Sequence, residues 1–297
     1  MPYAINRGVR VYWEEQGEGP PMLLIMGLSF TLEMWHRIRP ALAEKYRVIV
    51  FDNRGVGRSD SPPGPYSIGI MARDAYTVLD AANVRDPVTL VGASMGGMIA
   101  QELALRYPSR FRALLLGCTA CGPFYRAAWP NFERSPGLWK WLSLRGEARE
   151  RALIRLLYAD GTPMSRIDED IRIRCMNQPS TVAVLSQLAG ILAWSSFRRL
   201  PQLRLPTLVV HGEQDHILPS ANGRVVSERI SGSELVLLPN AGHMITTDQP
   251  EICLEVIERF LDQLSDREAN EPLEAAEVAD VDSLSVPGPE LPDQQTA

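Results

Sequence analysis

The stretch Val88-Thr89-Leu90-Val91-Gly92-Ala93-Ser94-Met95-Gly96-Gly97 decides the reading of this chain. Its first four residues are an apolar, β-branched run too short for a helix. They read as a strand buried on both faces of a parallel sheet. A Gly-x-Ser-x-Gly pattern follows at once, and a helical stretch over Met95–Tyr107 comes after it. A serine hydroxyl is a poor nucleophile unless it is presented to a base. A sharp strand-to-helix turn does this by pushing the side chain out above the sheet. A Cβ at Gly92 or Gly96 would crowd such a turn. The N-terminal amides of the helix then favour negative charge developing at the same spot. Alone the pattern is weak; between a buried strand and a helix it is specific.

The same alternation extends in both directions. Val9–Glu14 alternates as a strand entered through an Asn6-Arg7-Gly8 turn, which places a hairpin at the sheet's edge. Met22–Met26, Val48–Phe51, Ala113–Leu116, Thr207–Val210 and Leu235–Leu238 are short apolar runs of the buried-strand kind. Helical patterns over Leu32–Lys45, Ile68–Ala82, Ser220–Ile230 and Glu251–Leu264 separate them. This order predicts a mostly parallel central sheet flanked by helices. The alternation stops between Cys121 and Leu205. That segment shows helical periodicity over Glu147–Tyr158 and Thr181–Leu192, and it holds four of the six tryptophans: Trp129, Trp139, Trp141 and Trp194. We read residues 1–120 and 205–264 as an α/β core and 121–204 as an inserted helical cap. The alternative for the insertion is an ordinary second helical layer.

Composition narrows the class. The chain has 297 residues, 45% apolar and 22% charged, which is ordinary for a globular protein. The formal net charge of −6 is uneven: residues 265–297 carry nine acids and one arginine, leaving the remainder at about +2. A nearly neutral body gives no electrostatic case for nucleic acid or an anionic membrane. The acidic, Pro-containing tail has too few large apolar residues to offset its ordering entropy, so disorder is expected over 265–297. No run approaches the ~18 apolar residues of a membrane span. No signal-like segment opens the chain, and four cysteines do not make a disulfide framework, so a cytoplasmic location is expected.

A serine nucleophile needs a base, and there are four histidines. His243 sits in Asn240-Ala241-Gly242-His243, just after the strand Leu235–Leu238 and so at a C-terminal strand end. His211 closes a strand and is expected to be structural. His216 directly follows Asp215 and is expected to point away from it. The base needs a carboxylate to fix its tautomer. Asp215, in His211-Gly212-Glu213-Gln214-Asp215, lies 28 residues before His243 on the loop after the preceding strand. Its rivals are Glu213 and Asp248. The oxyanion donors are expected to be the backbone N–H groups of Met95 and Leu28, the latter following Gly27 in the loop after Met22–Met26. Trp35, His36 and Trp194 are candidates for the substrate pocket. Cys118-Thr-Ala-Cys121 lacks the further ligands of a zinc site and reads as small residues packing at a strand end. No metal and no dinucleotide cofactor is implied.

These motifs together resemble the α/β-hydrolase superfamily, in its esterase and enol-lactonase branch, over roughly residues 5–264. The resemblance is carried by Gly27-Leu28, Met34-Trp35, Asp52-Asn-Arg54-Gly55-Val-Gly57-Arg-Ser59, the elbow at Ser94, Gly212-Glu-Gln-Asp215 and Gly242-His243. It implies the α/β-hydrolase fold and a Ser94–Asp215–His243 triad, with the 52–59 turn structural. Many relatives have a histidine before the oxyanion glycine, where this chain has Met26. Ser94 at the elbow argues against the dehalogenase-like and epoxide-hydrolase-like branches, which need Asp there. Carbon–carbon-bond hydrolases often carry a Trp soon after the histidine; here Met244-Ile245-Thr246 follows. Cleavage of a carboxylic ester, lactone or thioester of a small apolar substrate is the implied activity. The alternative is a hydrolase-fold sensor or signalling protein with slow turnover.

Overall fold

In the computed structural model, residues 2–123 and 143–270 are described. The chain opens with β1 (Tyr3–Asn6) and β2 (Val9–Gln16), an antiparallel pair. The two residues between them, Arg7 and Gly8, have φ of 51° and 81°. Positive φ at both positions makes a hairpin turn whose twist matches that of its strands. Six further strands follow: β3 (Pro21–Ile25), β4 (Arg47–Phe51), β5 (Val88–Ala93), β6 (Phe111–Gly117), β7 (Thr207–Gly212) and β8 (Glu234–Leu238). They form one eight-stranded sheet of order β1-β2-β4-β3-β5-β6-β7-β8, parallel from β4 through β8. Every residue of β3 and of β7 is buried, which is why these strands read as unbroken apolar runs rather than alternating ones.

Six helices are labelled here: α1 (Ile68–Ala81), α2 (Met95–Arg106), α3 (Met164–Met176), α4 (Thr181–Leu192), α5 (Ala221–Arg229) and α6 (Pro250–Asn270). In α1 the residues Ile68, Met71, Ala72, Ala75, Val78 and Leu79 are buried at helical spacing. The Ser67 hydroxyl accepts from the Ile70 N–H and caps the helix. Asp74 lies in the same buried stripe. It is tolerated because Arg54 donates to both of its oxygens (2.5 and 2.6 Å) and Asn6 donates a third bond (2.7 Å). The arginine comes from the 52–59 turn, so this ion pair ties that turn to the helix layer.

Three predicted elements differ in detail. The expected helix over Leu32–Lys45 is broken into a 3₁₀ turn, Leu32–Trp35, and a short helix, Arg39–Leu42. Pro40 has no N–H with which to continue a helix begun at Leu32, and it stands instead in the first turn of the second piece, where that N–H is not needed. The expected helix over Glu147–Tyr158 is likewise split into Gly146–Arg151 and Ile154–Leu157. The last helix continues past Leu264 to Asn270, into a segment expected to be disordered. Helix α3 is an addition to the elements expected from the sequence.

Between β6 and β7 the described residues form helices and no strand. The two ends of this insertion meet at one point. The Cys121 carbonyl accepts from Ser196 N–H (2.9 Å), Phe197 N–H (3.2 Å) and the Ser195 hydroxyl (2.9 Å). Trp129, Trp139 and Trp141 fall outside the described residues. The described residues of core and insertion up to Phe260 belong to one unit. Among the described residues no helix is long and apolar enough to cross a membrane.

Candidate active site

Ser94 stands between β5 and α2 with φ 55° and ψ −121°, a left-handed conformation that a residue with a Cβ adopts only under constraint. The constraint is visible. Ser94 N–H donates to the Gly117 carbonyl of β6 (2.8 Å), and its own carbonyl accepts from Thr119 Oγ1 (2.7 Å) and Gly97 N–H (2.9 Å). The flanking glycines are required by space: a Cβ at Gly92 would sit 2.4 Å from the Gly96 carbonyl oxygen, and one at Gly96 2.0 Å from that of Ile25. Met95 opens α2, so its N–H belongs to the first helical turn, whose amides have no intrahelical acceptor.

The loop after β3 lies directly over the serine. A Cβ at Gly27 would come within 3.0 Å of Ser94 Cβ and 3.5 Å of its Oγ, so Leu28 follows a backbone segment packed against the Ser94 side chain. Side chains from other parts of the chain hold this loop at Met26 and beyond. Asn53 Nδ2 donates to the Met26 carbonyl (2.9 Å). Gln187 Oε1, from α4, accepts from Ser29 N–H (3.0 Å), while Gln187 Nε2 donates to the Arg54 carbonyl (3.0 Å). Asp52 accepts from Leu32 N–H (2.8 Å) and Arg58 N–H (2.9 Å); burial pushes its carboxyl up, against the pull of these two donors. The 52–59 turn is therefore the brace of the loop that bears Leu28.

This brace can be tested by itself. In Asn53→Ala the Met26 carbonyl loses its partner and the loop over Ser94 loosens. A shift of about 1 Å beside a reacting centre costs on the order of 10–100-fold in turnover. We expect kcat for ester hydrolysis to fall by about that factor with KM changed little. A loss confined to KM would mean that the loop binds substrate rather than aligning it.

His243 lies between β8 and the short helix Ile245–Asp248. Its Nδ1 is 2.7 Å from Asp215 Oδ2. Asp215 Oδ1 accepts from the N–H groups of Ile217 (2.9 Å) and Leu218 (2.8 Å). Burial pushes the Asp215 carboxyl up, but the charge of His243 and the hydrogen bonds from His211 and His243 outweigh it, and the group sits well below the usual carboxylate range. An ionised Asp215 accepts, so the hydrogen between them belongs to His243 Nδ1 and the Nε2 lone pair is left for proton transfer. The two loops approach closely because the first carries glycine: a Cβ at Gly212 would be 2.1 Å from the Gly242 carbonyl oxygen, whereas a Cβ at Gly242 would meet the backbone of Tyr158 and Ala159.

The rival acids have other places. Glu213 is exposed. Asp248 is buried and accepts from Gly242 N–H (2.6 Å), Ala159 N–H (3.3 Å) and Thr162 Oγ1 (2.6 Å), tying the histidine loop to the helical insertion. His211 is buried with its Nε2 2.6 Å from the Leu218 carbonyl oxygen and 3.3 Å from Asp215 Oδ2. It supports the acid from behind.

Ser94, Met95, Leu28, Trp35 and His243 all line one cavity of about 560 Å³. Phe30, Met98, Leu157, Leu188, Ile191 and Ile245 contribute to its apolar wall; the polar lining side chains are Ser29, Ser94, Asn222, His243 and Thr246. Two proposed pocket residues are placed elsewhere. Trp194 is buried in the core cluster and donates from Nε1 to Glu102 (2.8 Å). His36 is not among the lining residues; its Nδ1 contacts the Glu33 carbonyl oxygen (3.1 Å), and its Nε2 lies 3.8 Å from buried Asp170. Cys118, read as packing at a strand end, is buried at the end of β6 and also borders the cavity.

Comparison with known proteins agrees with this architecture. The sequence profile of the alpha/beta hydrolase fold family matches residues 20–250. The pimeloyl-[acyl-carrier protein] methyl ester esterase of Aeromonas hydrophila subsp. hydrophila is 31% identical over 84% of the chain and 98% of its own length. The poly(3-hydroxyalkanoate) depolymerase of Ectopseudomonas oleovorans is 29% identical over 86% of the chain and 89% of its length. Among solved structures, the enol-lactonase from Burkholderia xenovorans LB400 superposes with a TM-score of 0.77 at 25% identity, covering 88% of the chain and all of that protein.

Proposed function

The chain belongs to the alpha/beta hydrolase fold family, and from that premise we propose that it is a serine hydrolase that cleaves a carboxylic ester, lactone or thioester of a small apolar substrate. One observation carries the reading. His243, joined at 2.7 Å to Asp215 behind it, and a serine held at positive φ border the same apolar cavity. A strained serine, an oriented imidazole and an apolar pocket are parts that an acyl-transfer site needs.

The reaction proceeds in two steps. Ser94 Oγ attacks the substrate carbonyl while His243 Nε2 takes its proton. The oxyanion is held by the N–H groups of Leu28 and Met95, aimed at charge that exists only in the transition state. The imidazolium returns the proton to the leaving oxygen or sulfur, and the leaving group departs. Water, deprotonated by the same nitrogen, then attacks the acyl-enzyme; the bond to Ser94 Oγ breaks, the imidazolium returns the proton to that oxygen, and the acid is released. Asp215 stays ionised and steadies the imidazolium. The described helices between β6 and β7 act as a cap that supplies Leu157, Leu188 and Ile191 to the apolar wall and excludes water from the acyl group. Two of the three relatives named above act on a methyl ester and an enol-lactone, which are members of the proposed substrate class.

The test is a series of p-nitrophenyl esters of increasing acyl length, with a lactone and a thioester, together with a fluorophosphonate that labels activated serines. We expect turnover with kcat/KM rising from acetyl towards longer apolar acyl groups, and labelling of Ser94 identified by peptide mass. Absence of both turnover and labelling would remove the hydrolase reading and leave a binding role for the cavity.

A further inference from the structure

Cys118 has no part in the reaction just described, yet it stands beside the site's two ionisable members. It follows β6 with φ 43°, is 1% exposed, and its Sγ is 3.6 Å from the Gly242 carbonyl oxygen of the histidine loop. Its sulfur, a carboxylate oxygen of Asp215 and a ring nitrogen of His243 all lie within 4.8 Å of one another, and all three residues are buried. We propose that Cys118, Asp215 and His243 form a capture site for a soft divalent cation, Zn²⁺ or Cd²⁺, whose occupation arrests the enzyme. The arrest rests on the hydrolase reading; the capture does not.

The donor set fits. Thiolate, imidazole nitrogen and carboxylate oxygen are the ligands such ions take, and three protein ligands with one open position is the pattern of an accessible tetrahedral site. Ideal bond lengths place tetrahedral ligand atoms roughly 3.3–3.6 Å apart. The observed spread therefore needs a contraction of about 1 Å, within reach of side-chain adjustment. Charge also balances. A buried dication is stable only if anions neutralise it, and one thiolate with one carboxylate leaves the site at zero net charge. Hard cations such as Mg²⁺ keep their waters and prefer oxygen, so they are excluded. The ion arrives through the cavity, which Cys118 and His243 both border.

The arrest follows atom by atom. The hydrated cation loses waters and the Cys118 thiol loses its proton to solvent as the metal–sulfur bond forms; no electron is transferred. The nitrogen that faces Asp215 is Nδ1, at 2.7 Å. When the metal takes its lone pair, the ring hydrogen moves to Nε2. That nitrogen then has nothing with which to accept the Ser94 proton, while Asp215 is drawn from the imidazole to the metal.

The experiment uses the full chain with Cd²⁺ and Zn²⁺, comparing the native sequence with Cys118→Ala and Cys118→Ser. Two readouts are taken: the ultraviolet thiolate-to-cadmium band on titration, and p-nitrophenyl ester hydrolysis relative to each variant's own metal-free rate. We expect inhibition that EDTA reverses and that Mg²⁺ does not produce. Removal of the sulfur should weaken it by at least roughly 100-fold, more than the loss of an outer-shell partner costs. The cadmium band should shrink in both variants against the contribution of Cys121, Cys175 and Cys253. Equal inhibition of native protein and both folded variants, or a band that both variants retain in full, overturns the proposal. If no substrate is turned over at all, a band present in the native chain and lost in the variants still establishes the cation site, and the failure then belongs to the functional reading. Circular dichroism melts identify a variant that has not folded; the other then decides.

Discussion

Ser94→Ala is expected to lower ester turnover by roughly five to six orders of magnitude, the loss seen when a triad nucleophile is removed, with little change in substrate affinity. That factor corresponds to about 7–8 kcal/mol of transition-state stabilisation. The argument depends on what the substitution leaves in place. Alanine keeps the Cβ, so the positive-φ strain at position 94 is the same in both proteins and the melting temperature should hardly move. The backbone bonds to Gly117 and Gly97 do not involve the hydroxyl, nor does the bond that the Ser94 carbonyl accepts from Thr119. The cavity is otherwise intact, so a non-hydrolysed ester analogue should bind Ser94→Ala as it binds the parent. The measurement is kcat and KM on the best p-nitrophenyl ester, with a binding titration of the analogue. Near-parental turnover would place the nucleophile elsewhere, and Cys118, which borders the same cavity, would be the first residue to try.

The elements that surround Ser94 were legible because each is dictated locally. A run such as Val88–Val91 is apolar on both faces because both faces are buried, and Gly-x-Ser-x-Gly marks a turn that only glycines can close at those two positions. The order of Ser94, Asp215 and His243 along the chain follows from the order of strand ends in a parallel sheet. What was not legible depends on contacts distant in sequence. Helix α3 is hard to read because two of its four buried positions hold charge. Asp170 and Arg174 share the stripe with Ile167 and Ile171, so the apolar period is broken. Only the fold supplies their partners: Arg37, Tyr158 and Thr247 for Asp170, and Glu150 for Arg174. The brace of the loop after β3 was hidden for the same reason. Nothing local in Asp52-Asn53-Arg54 announces that Asn53 holds Met26. Trp194 and His36 are an aromatic and a titratable group in segments that the sequence places near the pocket. Their spacing could not tell that Trp194 turns to Glu102 and that His36 packs beside Asp170.

Asp215→Asn is expected to lower kcat by about 10⁴-fold while the protein stays folded, and the geometry says why so small a change acts so strongly. Asparagine is nearly isosteric, so the question is which way its amide faces. Asp215 Oδ1 accepts from the N–H groups of Ile217 and Leu218, and only an oxygen satisfies two donors there. The amide nitrogen of the substituted side chain must therefore take the place of Oδ2, 2.7 Å from His243 Nδ1 and 3.3 Å from His211 Nε2. An N–H facing an N–H at that distance is repulsive, and His243 escapes it by moving its hydrogen to Nε2. The imidazole then offers the new amide an acceptor and offers Ser94 a donor where it needs a base. The imidazolium that forms in the reaction also loses its counter-charge. Together these effects amount to about 5.5 kcal/mol at the transition state. Asp248→Asn is the control. That carboxylate braces Gly242, Ala159 and Thr162 without touching the imidazole, so its loss should slow turnover far less and act mainly on thermal stability. Steady-state kinetics on both variants, with melting curves, separate the two roles. A 10⁴-fold loss in Asp248→Asn with Asp215→Asn still active would exchange them.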